Sequence, residues 1–186
     1  MSQISIAQLF EDKREKLKLS WVSGSEGSNK LLTDDSVLNT DKEAIGYLNF
    51  IQPDWIQVLN SDGINYLNRL ATHTLEKKTN QLIQSNMVCI IIADNAEAPK
   101  SILALSNDAN IPLLSSPYPS SEIIWIIRAY LSSVLAPSCI LHGVLLDVLG
   151  MGVLITGESG VGKSELALEL ISRGHGLVAD DIVELR

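Results

Sequence analysis

The sequence predicts an α/β protein, and three observations lead to that prediction. Segments with strand and helix patterns alternate from Tyr47 onward, which indicates parallel strands in a layered fold. Residues 88–93 form an uninterrupted apolar run, typical of a strand covered on both faces. Residues 151–164 lead from a short apolar run into a glycine-rich loop, with a helical pattern behind it. We therefore expect an N-terminal α/β domain with parallel strands, followed by the beginning of a second domain built on that loop.

The first elements are predicted to be a helix, a strand and a loop. Ser5 and Gln8 have the spacing of a capping box, and the apolar residues after them recur at helical intervals. Residues 17–22 alternate between apolar and polar side chains, which predicts a strand. Residues 24–29 are polar and rich in glycine, which predicts a flexible loop. Residues 30–42 give no clear pattern.

The middle of the chain supplies the alternation of strands and helices. Apolar runs predict the strands, and apolar residues three and four apart predict the helices. The predicted strands are 55–59, 88–93 and 111–114, and the predicted helices are 64–83, 99–108 and 120–135.

A boundary is predicted at residues 136–138, which divides the chain into domains 1–135 and 136–186. Beyond it, residues 139–146 and 151–156 read as strands joined by a hairpin turn. The chain continues only from Ser164 to Arg186 after the glycine-rich loop, which is too short for the further parallel strands that such a domain needs. We therefore expect the sequence to be a truncated piece of a longer protein.

Composition excludes several classes of protein. The net charge of −8 and the pI near 4.8 argue against a nucleic-acid partner, because no cationic field attracts a phosphate backbone. Cys89 and Cys139 both lie in apolar runs, so buried free thiols are expected rather than a disulfide framework. The sequence has neither a signal segment nor an apolar run of the about 18 residues that a membrane helix needs. A cytoplasmic protein without a membrane partner is expected.

The glycine-rich loop fits the phosphate-binding pattern G-x-x-x-x-G-K-[S/T] at every fixed position. Its glycines allow the backbone to approach phosphate oxygens, and the following helix N-terminus points N–H groups at the anion. Lys163 supplies a mobile positive charge, and the Ser164 hydroxyl can hold Mg²⁺. The alternative is a chance match in a glycine-rich turn. The predicted binding residues are Gly157, Glu158, Ser159, Gly160, Val161, Gly162, Lys163 and Ser164.

Asp180 and Asp181 end a predicted strand at 175–181, the place of the aspartate that works with a phosphate-binding loop. Adjacent strand residues point to opposite sides, so at most one of the two should face the phosphates. The alternative is an acidic exit from the strand, because aspartates favour turns.

The sequence does not decide the roles of the histidines. His142 lies on a predicted strand beside the loop, and the residues alone favour a buried structural role over a catalytic one. His73, on the predicted helix 64–83, is expected to be structural. His175 and Arg173 follow the helix after the loop, where cations favour a helix C-terminus.

Three stretches together closely resemble the bacterial HPr kinase/phosphorylase family: Leu141-His142-Gly143, residues 157–165 and residues 173–181. The resemblance implies a Mg²⁺-dependent bifunctional enzyme that regulates carbon metabolism. Such enzymes transfer a phosphoryl group from ATP or pyrophosphate to a serine of the phosphocarrier protein HPr, and remove it by phosphorolysis, which returns pyrophosphate.

The resemblance also implies roles for single residues. Asp181 matches the base that accepts the seryl proton and returns it in the reverse reaction, Lys163 the loop lysine, Ser164 the magnesium-binding serine and His142 the active-site histidine. A hexamer assembled through the kinase domain is implied as well. The family's second magnesium ligand, a later catalytic arginine and the HPr-contacting segment are expected beyond Arg186, so activity is expected of the full-length protein and not of this fragment.

Two other functions share the loop pattern. An ABC-type ATPase would place its loop only a few tens of residues from the start of its domain, whereas residues 1–135 come first here. A non-catalytic nucleotide sensor would not need the carboxylates of Asp180 and Asp181.

Overall fold

A computed structural model describes residues 3–33, 44–50, 54–85, 87–136 and 139–185. The chain divides into two compact units, Met1–Ala136 and Pro137–Arg186, called here the first and the second unit. Two of the three residues of the predicted boundary 136–138 lie outside the described residues, as does most of the stretch 30–42. Within the described ranges, no helix is both long and apolar enough to cross a membrane.

The first unit alternates strands and helices as the sequence predicts. Its elements in chain order are β1 (Gln3–Ser5), α1 (Ile6–Leu17), β2 (Ser20–Ser23), a 3₁₀ helix (Ser25–Asn29), β3 (Leu31–Thr33), β4 (Ile45–Tyr47), β5 (Ile56–Leu59), α2 (Ser61–Arg69), α3 (Thr72–Ile83), β6 (Cys89–Ile92), α4 (Lys100–Asp108), β7 (Leu113–Ser115) and α5 (Ser120–Val134).

Five of these strands form one sheet in the order β2-β7-β6-β5-β4. Strands β4 to β7 pair in parallel, and β2 joins the far edge antiparallel to β7. The predicted parallel α/β fold is confirmed. Strand β6 is buried at all four positions because helices cover both faces of the sheet.

The two faces of the sheet carry separate apolar cores. Helices α1 and α5 cover one face, where they pack on alternate strand residues such as Cys89 and Ile91. Helices α2, α3 and α4 cover the other face, where Ile90 and Ile92 point. This alternation follows from the period of two in a strand.

Helix α1 begins where the sequence predicts. The Gln8 amide donates a hydrogen bond to Ser5 Oγ at 3.1 Å, so the N-cap is confirmed. The Gln8 side chain donates to Asp12 and does not return to Ser5, so only half of the capping box forms.

Three local predictions for the first unit are wrong. The single helix 64–83 is two helices, because Leu70 and Ala71 take extended backbone angles between them. The flexible loop 24–29 contains the 3₁₀ helix, and Gly27 is buried so tightly that a Cβ there would lie 2.0 Å from the Asn110 carbonyl oxygen. The strand predicted to begin at Leu17 begins at Ser20, because Leu17 ends α1.

The second unit is built from two small antiparallel sheets and one helix. Its elements are β8 (Cys139–His142), β9 (Val144–Val148), β10 (Met151–Ile155), α6 (Lys163–Ser172), β11 (Gly176–Ala179) and β12 (Ile182–Leu185). The strand orders are β10-β9-β11 and β12-β8. The predicted strand 139–146 is interrupted at Gly143. The predicted hairpin is confirmed: Leu149 and Gly150 both have positive φ, as a tight hairpin turn requires, and the Gly150 amide donates to Asp147 Oδ1 at 2.8 Å.

The core of the second unit is small and entirely aliphatic. Val144, Leu146 and Ala167 are buried there. Every Trp, Tyr and Phe of the sequence precedes residue 136, so this unit contains none of these three residue types. The expectation that Cys139 is buried is wrong, because β8 is exposed along its length; Cys89 is buried as predicted.

Candidate active site

Three strand ends of the second unit converge on one edge of the β10-β9-β11 sheet. Strand β9 is central and antiparallel to both neighbours, so its amino end lies beside the carboxyl ends of β10 and β11. His142 and Gly143 precede β9, the glycine-rich loop follows β10, and Asp180 and Asp181 follow β11. The pairing of distant strands therefore brings the three predicted stretches together.

These stretches surround a cavity of about 490 Å³. The predicted catalytic residues His142, Lys163 and Asp181 all line it, as does most of the loop. The lining residues are His142, Gly143, Val144, Gly157, Ser159, Gly160, Gly162, Lys163, Ser164, Glu165, Asp180 and Asp181. Glu158 and Val161, also predicted to bind phosphate, do not line the cavity through their side chains.

The glycine-rich loop has the backbone that its sequence predicts. Gly160 and Gly162 have φ of 82° and 96°, the left-handed region that other residues adopt only with strain. Gly162 is the N-cap of α6, and no side chain caps that helix end. The first N–H groups of α6 can therefore donate to an anion that enters the cavity, where the helix dipole also favours negative charge.

Lys163 folds back over the loop that precedes it. Its Nζ donates to the carbonyl oxygens of Gly157 at 2.9 Å and Glu158 at 2.8 Å. The ammonium is therefore held beside the cavity by acceptors that a phosphate oxygen can replace. A charged donor to an anionic oxygen is stronger than one to a neutral carbonyl.

Oxygen donors suited to Mg²⁺ line the same cavity. Ser164, at the second position of α6, offers a hydroxyl, and Asp180 and Asp181 offer carboxylates. The described residues contain no cluster of three or more His, Cys, Asp or Glu that could hold a metal ion by itself. This donor set fits Mg²⁺, which proteins commonly bind through one or two carboxylates together with substrate phosphates.

Asp180 and Asp181 lie in a turn, whereas the sequence predicted that they end a strand. Strand β11 ends at Ala179, so both residues lie in the turn to β12 and the alternation of a strand does not apply to them. Both line the cavity, so the strand alternation behind the expectation does not hold, and which of the two faces the phosphates stays a prediction. Asp181 has φ of 68°.

His142 contacts Asp181 through the backbone. Its Nδ1 lies 3.3 Å from the Asp181 carbonyl oxygen, which also accepts a hydrogen bond from the Gly143 amide at 3.2 Å. The His142 side chain is exposed, so the expected burial is wrong. Its location in the cavity is compatible with the role that the family resemblance implies.

Arg173, His175 and His73 do not line the cavity. Arg173 caps the end of α6 and donates from Nε and Nη2 to Glu169 Oε1 at 3.0 and 2.6 Å. The His175 amide donates to the Leu170 carbonyl. His73 is exposed on α3 of the first unit.

Sequence reasoning gave Gly143 no role of its own, although it is sterically required. A Cβ there would lie 2.5 Å from the Ile155 carbonyl oxygen, at the last residue of β10 before the loop. The available signal was a glycine inside an apolar run, which marks a close backbone approach. A larger cavity of about 690 Å³ lies in the first unit, around Tyr47 and Arg128, and contains none of the predicted site residues.

Comparisons with known proteins assign the family. The model of the HPr serine kinase N terminus matches residues 4–131, and that of the HPr serine kinase C-terminal domain matches residues 133–186. The HPr kinase/phosphorylase of Nitrosomonas europaea is 56% identical over 185 residues, which are 100% of this chain and 57% of that protein. The HPr kinase/phosphorylase of Bordetella pertussis is 42% identical over 182 residues, 98% of this chain and 58% of that protein.

A solved structure of the CBS and DRTGG domains of the regulatory region of Clostridium perfringens pyrophosphatase covers 81% of this chain and 90% of its own, at 12% identity. Its TM-score of 0.22 is too low to indicate a common fold. The chain spans 57–58% of the length of the two kinase/phosphorylases. With both family models matched in order along the sequence, the chain belongs to the HPr serine kinase family.

Proposed function

We propose that this chain is part of a Mg²⁺-dependent enzyme that phosphorylates a serine of HPr with ATP or pyrophosphate and removes that phosphate by phosphorolysis, releasing pyrophosphate. The observation that carries the proposal is the common cavity of Lys163, Ser164 and Asp181 at one sheet edge. A phosphate-binding loop alone supports only nucleotide binding. A carboxylate that opens into the same cavity adds a group able to accept a proton from a hydroxyl.

The phosphate loop binds and orients the donor. The N–H groups at the start of α6 and the Lys163 ammonium stabilise charge on the transferring phosphoryl group. The Ser164 hydroxyl would hold Mg²⁺, which would neutralise part of the phosphate charge when bound. The binding residues of the proposal are Gly157, Glu158, Ser159, Gly160, Val161, Gly162, Lys163 and Ser164.

Asp181 handles the proton in both directions. A seryl hydroxyl is a poor nucleophile until its proton is accepted, and a carboxylate within hydrogen-bond distance accepts it in the transition state. The protonated carboxyl then protonates the seryl oxygen when phosphate attacks phosphoserine. His142 lies beside this residue and completes the catalytic set of the proposal.

The proposal extends to the organisation of the protein. Residues 1–135 form one domain, and residues 136–186 begin the kinase/phosphorylase domain. The partner is HPr, and the full-length enzyme is a cytoplasmic hexamer in this proposal, as the family resemblance implies. The acidic net charge of −8 supports a protein partner over a nucleic acid.

The test is phosphorylation of HPr with labelled ATP by the full-length protein. Lys163→Ala removes the ammonium that stabilises charge on the phosphoryl group, and Asp181→Asn keeps the shape of the side chain but removes the base. We expect each to lower the forward and reverse rates by roughly 10²-fold or more. Asp181→Asn should leave ATP binding nearly intact.

Arg173→Ala is the matched control, because it removes a cation of the same unit that lies outside the cavity. It should change the rates by less than about threefold, since exposed ion pairs contribute little. Wild-type protein that does not phosphorylate HPr would overturn the proposal. Retention of activity by Lys163→Ala within a few-fold would overturn the role of the loop.

A further inference from the structure

Asp181 lies in an unusual turn. The Ile182 amide donates to the Asp180 carbonyl oxygen at 2.9 Å, which closes a three-residue turn with Asp181 at its centre. The central φ is 68°. A bond from residue i to i+2 around a positive φ is the pattern of the γ-turn that is rare and strained. Such a conformation persists only where neighbouring groups hold it in place.

Three groups hold this turn. The Asp181 amide donates to Asp180 Oδ1 at 2.9 Å. The Asp181 carbonyl oxygen accepts from the Gly143 amide at 3.2 Å and lies 3.3 Å from His142 Nδ1. Both backbone polar atoms of Asp181 are thus engaged, which leaves its carboxylate as the group that the turn presents to the cavity.

The hydrogen bond that the Asp181 amide donates to Asp180 Oδ1 is the one that depends on the side chain of the preceding residue. Its acceptor is a single carboxylate oxygen, and an amide oxygen can accept the same bond. Because the sign of φ sets the direction in which Cβ leaves the backbone, loss of this turn would re-aim the neighbouring carboxylate. The contact therefore couples the Asp180 side chain to the direction of the Asp181 side chain.

We propose that Asp180 is a positioning residue, whose side-chain oxygen holds the Asp181 peptide in the left-handed turn that aims the Asp181 carboxylate into the phosphate cavity. The inference rests on the proposed role of Asp181 as the base. The competing role for Asp180 is electrostatic, as a cation ligand or a second base, and that role needs its negative charge. An uncharged residue with the same oxygen separates the two.

The experiment compares Asp180→Asn, Asp180→Ala and Asp147→Ala in the full-length protein. Asp147 is the matched control because its Oδ1 also accepts a backbone amide, that of Gly150 at 2.8 Å, in the hairpin at the opposite end of the sheet. The measurements are kcat for HPr phosphorylation, KM for ATP, and exchange of the Asp181 amide proton by NMR.

Asp180→Ala should lower kcat by about 100-fold with little change in KM for ATP, because a reacting group misplaced by about 1 Å costs that much. Its Asp181 amide should exchange faster. Asp180→Asn should keep kcat within about threefold of the wild type and restore slow exchange, since the hydrogen bond remains. Asp147→Ala should leave kcat within about threefold, since its turn is remote from the cavity.

The inference is wrong if Asp180→Asn lowers kcat as much as Asp180→Ala does, because that result would show that the negative charge of Asp180 is required. Unchanged kcat in Asp180→Ala, or an equal loss in Asp147→Ala, also overturns it. Failure of the proposed function would give different results. The wild type would not phosphorylate HPr, or Asp181→Asn would keep its activity, and either result is independent of the amide exchange rates.

Discussion

Replacing Gly143 by alanine should destabilise the second unit and disturb its cavity. The added Cβ would lie 2.5 Å from the Ile155 carbonyl oxygen and 3.3 Å from Leu154 Cδ1. The first distance is about 1 Å short of ordinary contact. The obstacle is backbone at the end of β10, which cannot rotate away as a side chain does, so the β9–β10 ladder must open.

The magnitude follows from two contributions. Overpacking of this kind costs about 1–3 kcal/mol. The Gly143 amide also donates to the Asp181 carbonyl oxygen, and a hydrogen bond of this type contributes about 0.5–1.5 kcal/mol. The free energy of unfolding of the second unit should therefore fall by about 2–4 kcal/mol.

Hydrogen exchange followed by mass spectrometry is the suitable assay, because peptides from the two units are measured separately. A loss of about 2–4 kcal/mol corresponds to exchange roughly 30- to 700-fold faster in β9 and β10, as each 1.4 kcal/mol is tenfold. Calorimetry with ATP should show weaker binding, since the phosphate loop starts at the displaced strand end.

Gly152→Ala provides the control. Gly152 lies on the same hairpin, and a Cβ there would meet no atom within 4 Å. Alanine at that site should change stability by less than about 1 kcal/mol. Equal exchange in the two variants would refute the steric reasoning, because both add the same methyl group in or directly beside the β9–β10 hairpin.

Three further predictions concern reactivity, pH and local stability. Iodoacetamide should alkylate exposed Cys139 and spare Cys89, because burial raises the pKa of the Cys89 thiol; labelling of both at equal rates, measured by peptide mass spectrometry, would contradict this. Tyr130 donates a hydrogen bond to Asp12 that lowers the pKa of Asp12, so the stabilisation is present above about pH 4 and is lost as the pH falls through the folded value. The urea midpoint of Tyr130→Phe, followed by tryptophan fluorescence, should therefore lie below that of the wild type at pH 7 and approach it in acid; a constant gap would argue against the pair. Amide protons of β6, buried at every position, should exchange more slowly than those of β8, exposed at every position, and equal protection would oppose the burial argument.

Local sequence signals were sufficient to predict those elements whose structure is determined by one contiguous run of residues. The apolar run around Ile90 predicts a strand covered on both faces, and the spacing of Gly157, Gly162 and Lys163 predicts the loop ahead of α6. Ser5 marks the start of α1 for the same reason, since a helix cap is a contact across three residues.

Features that depend on contacts between distant segments could not be predicted in this way. No glycine or proline marks the break after Leu70, which separates two helices that pack their own apolar faces on the sheet. Gly27 reads as a loop residue, and its burial follows from the proximity of Asn110. The placing of Asp180 and Asp181 in one turn follows from the end of β11 at Ala179, and β11 pairs with a strand some thirty residues earlier in the chain. Local motifs thus predicted which residues belong to the candidate site, and their roles stay predictions; the motifs did not predict that the three stretches meet around β9.

The absence of Trp, Tyr and Phe from the second unit has a spectroscopic consequence. All three tryptophans precede residue 136, so intrinsic tryptophan fluorescence reports on the first unit. It carries no direct signal from residues around the glycine-rich loop. Near-ultraviolet bands from the side chains of residues 137–186 are absent for the same reason. A single tryptophan introduced at Val161, a residue that is 66% exposed and does not line the cavity, would give a fluorescence signal from the glycine-rich loop against a background confined to the other unit.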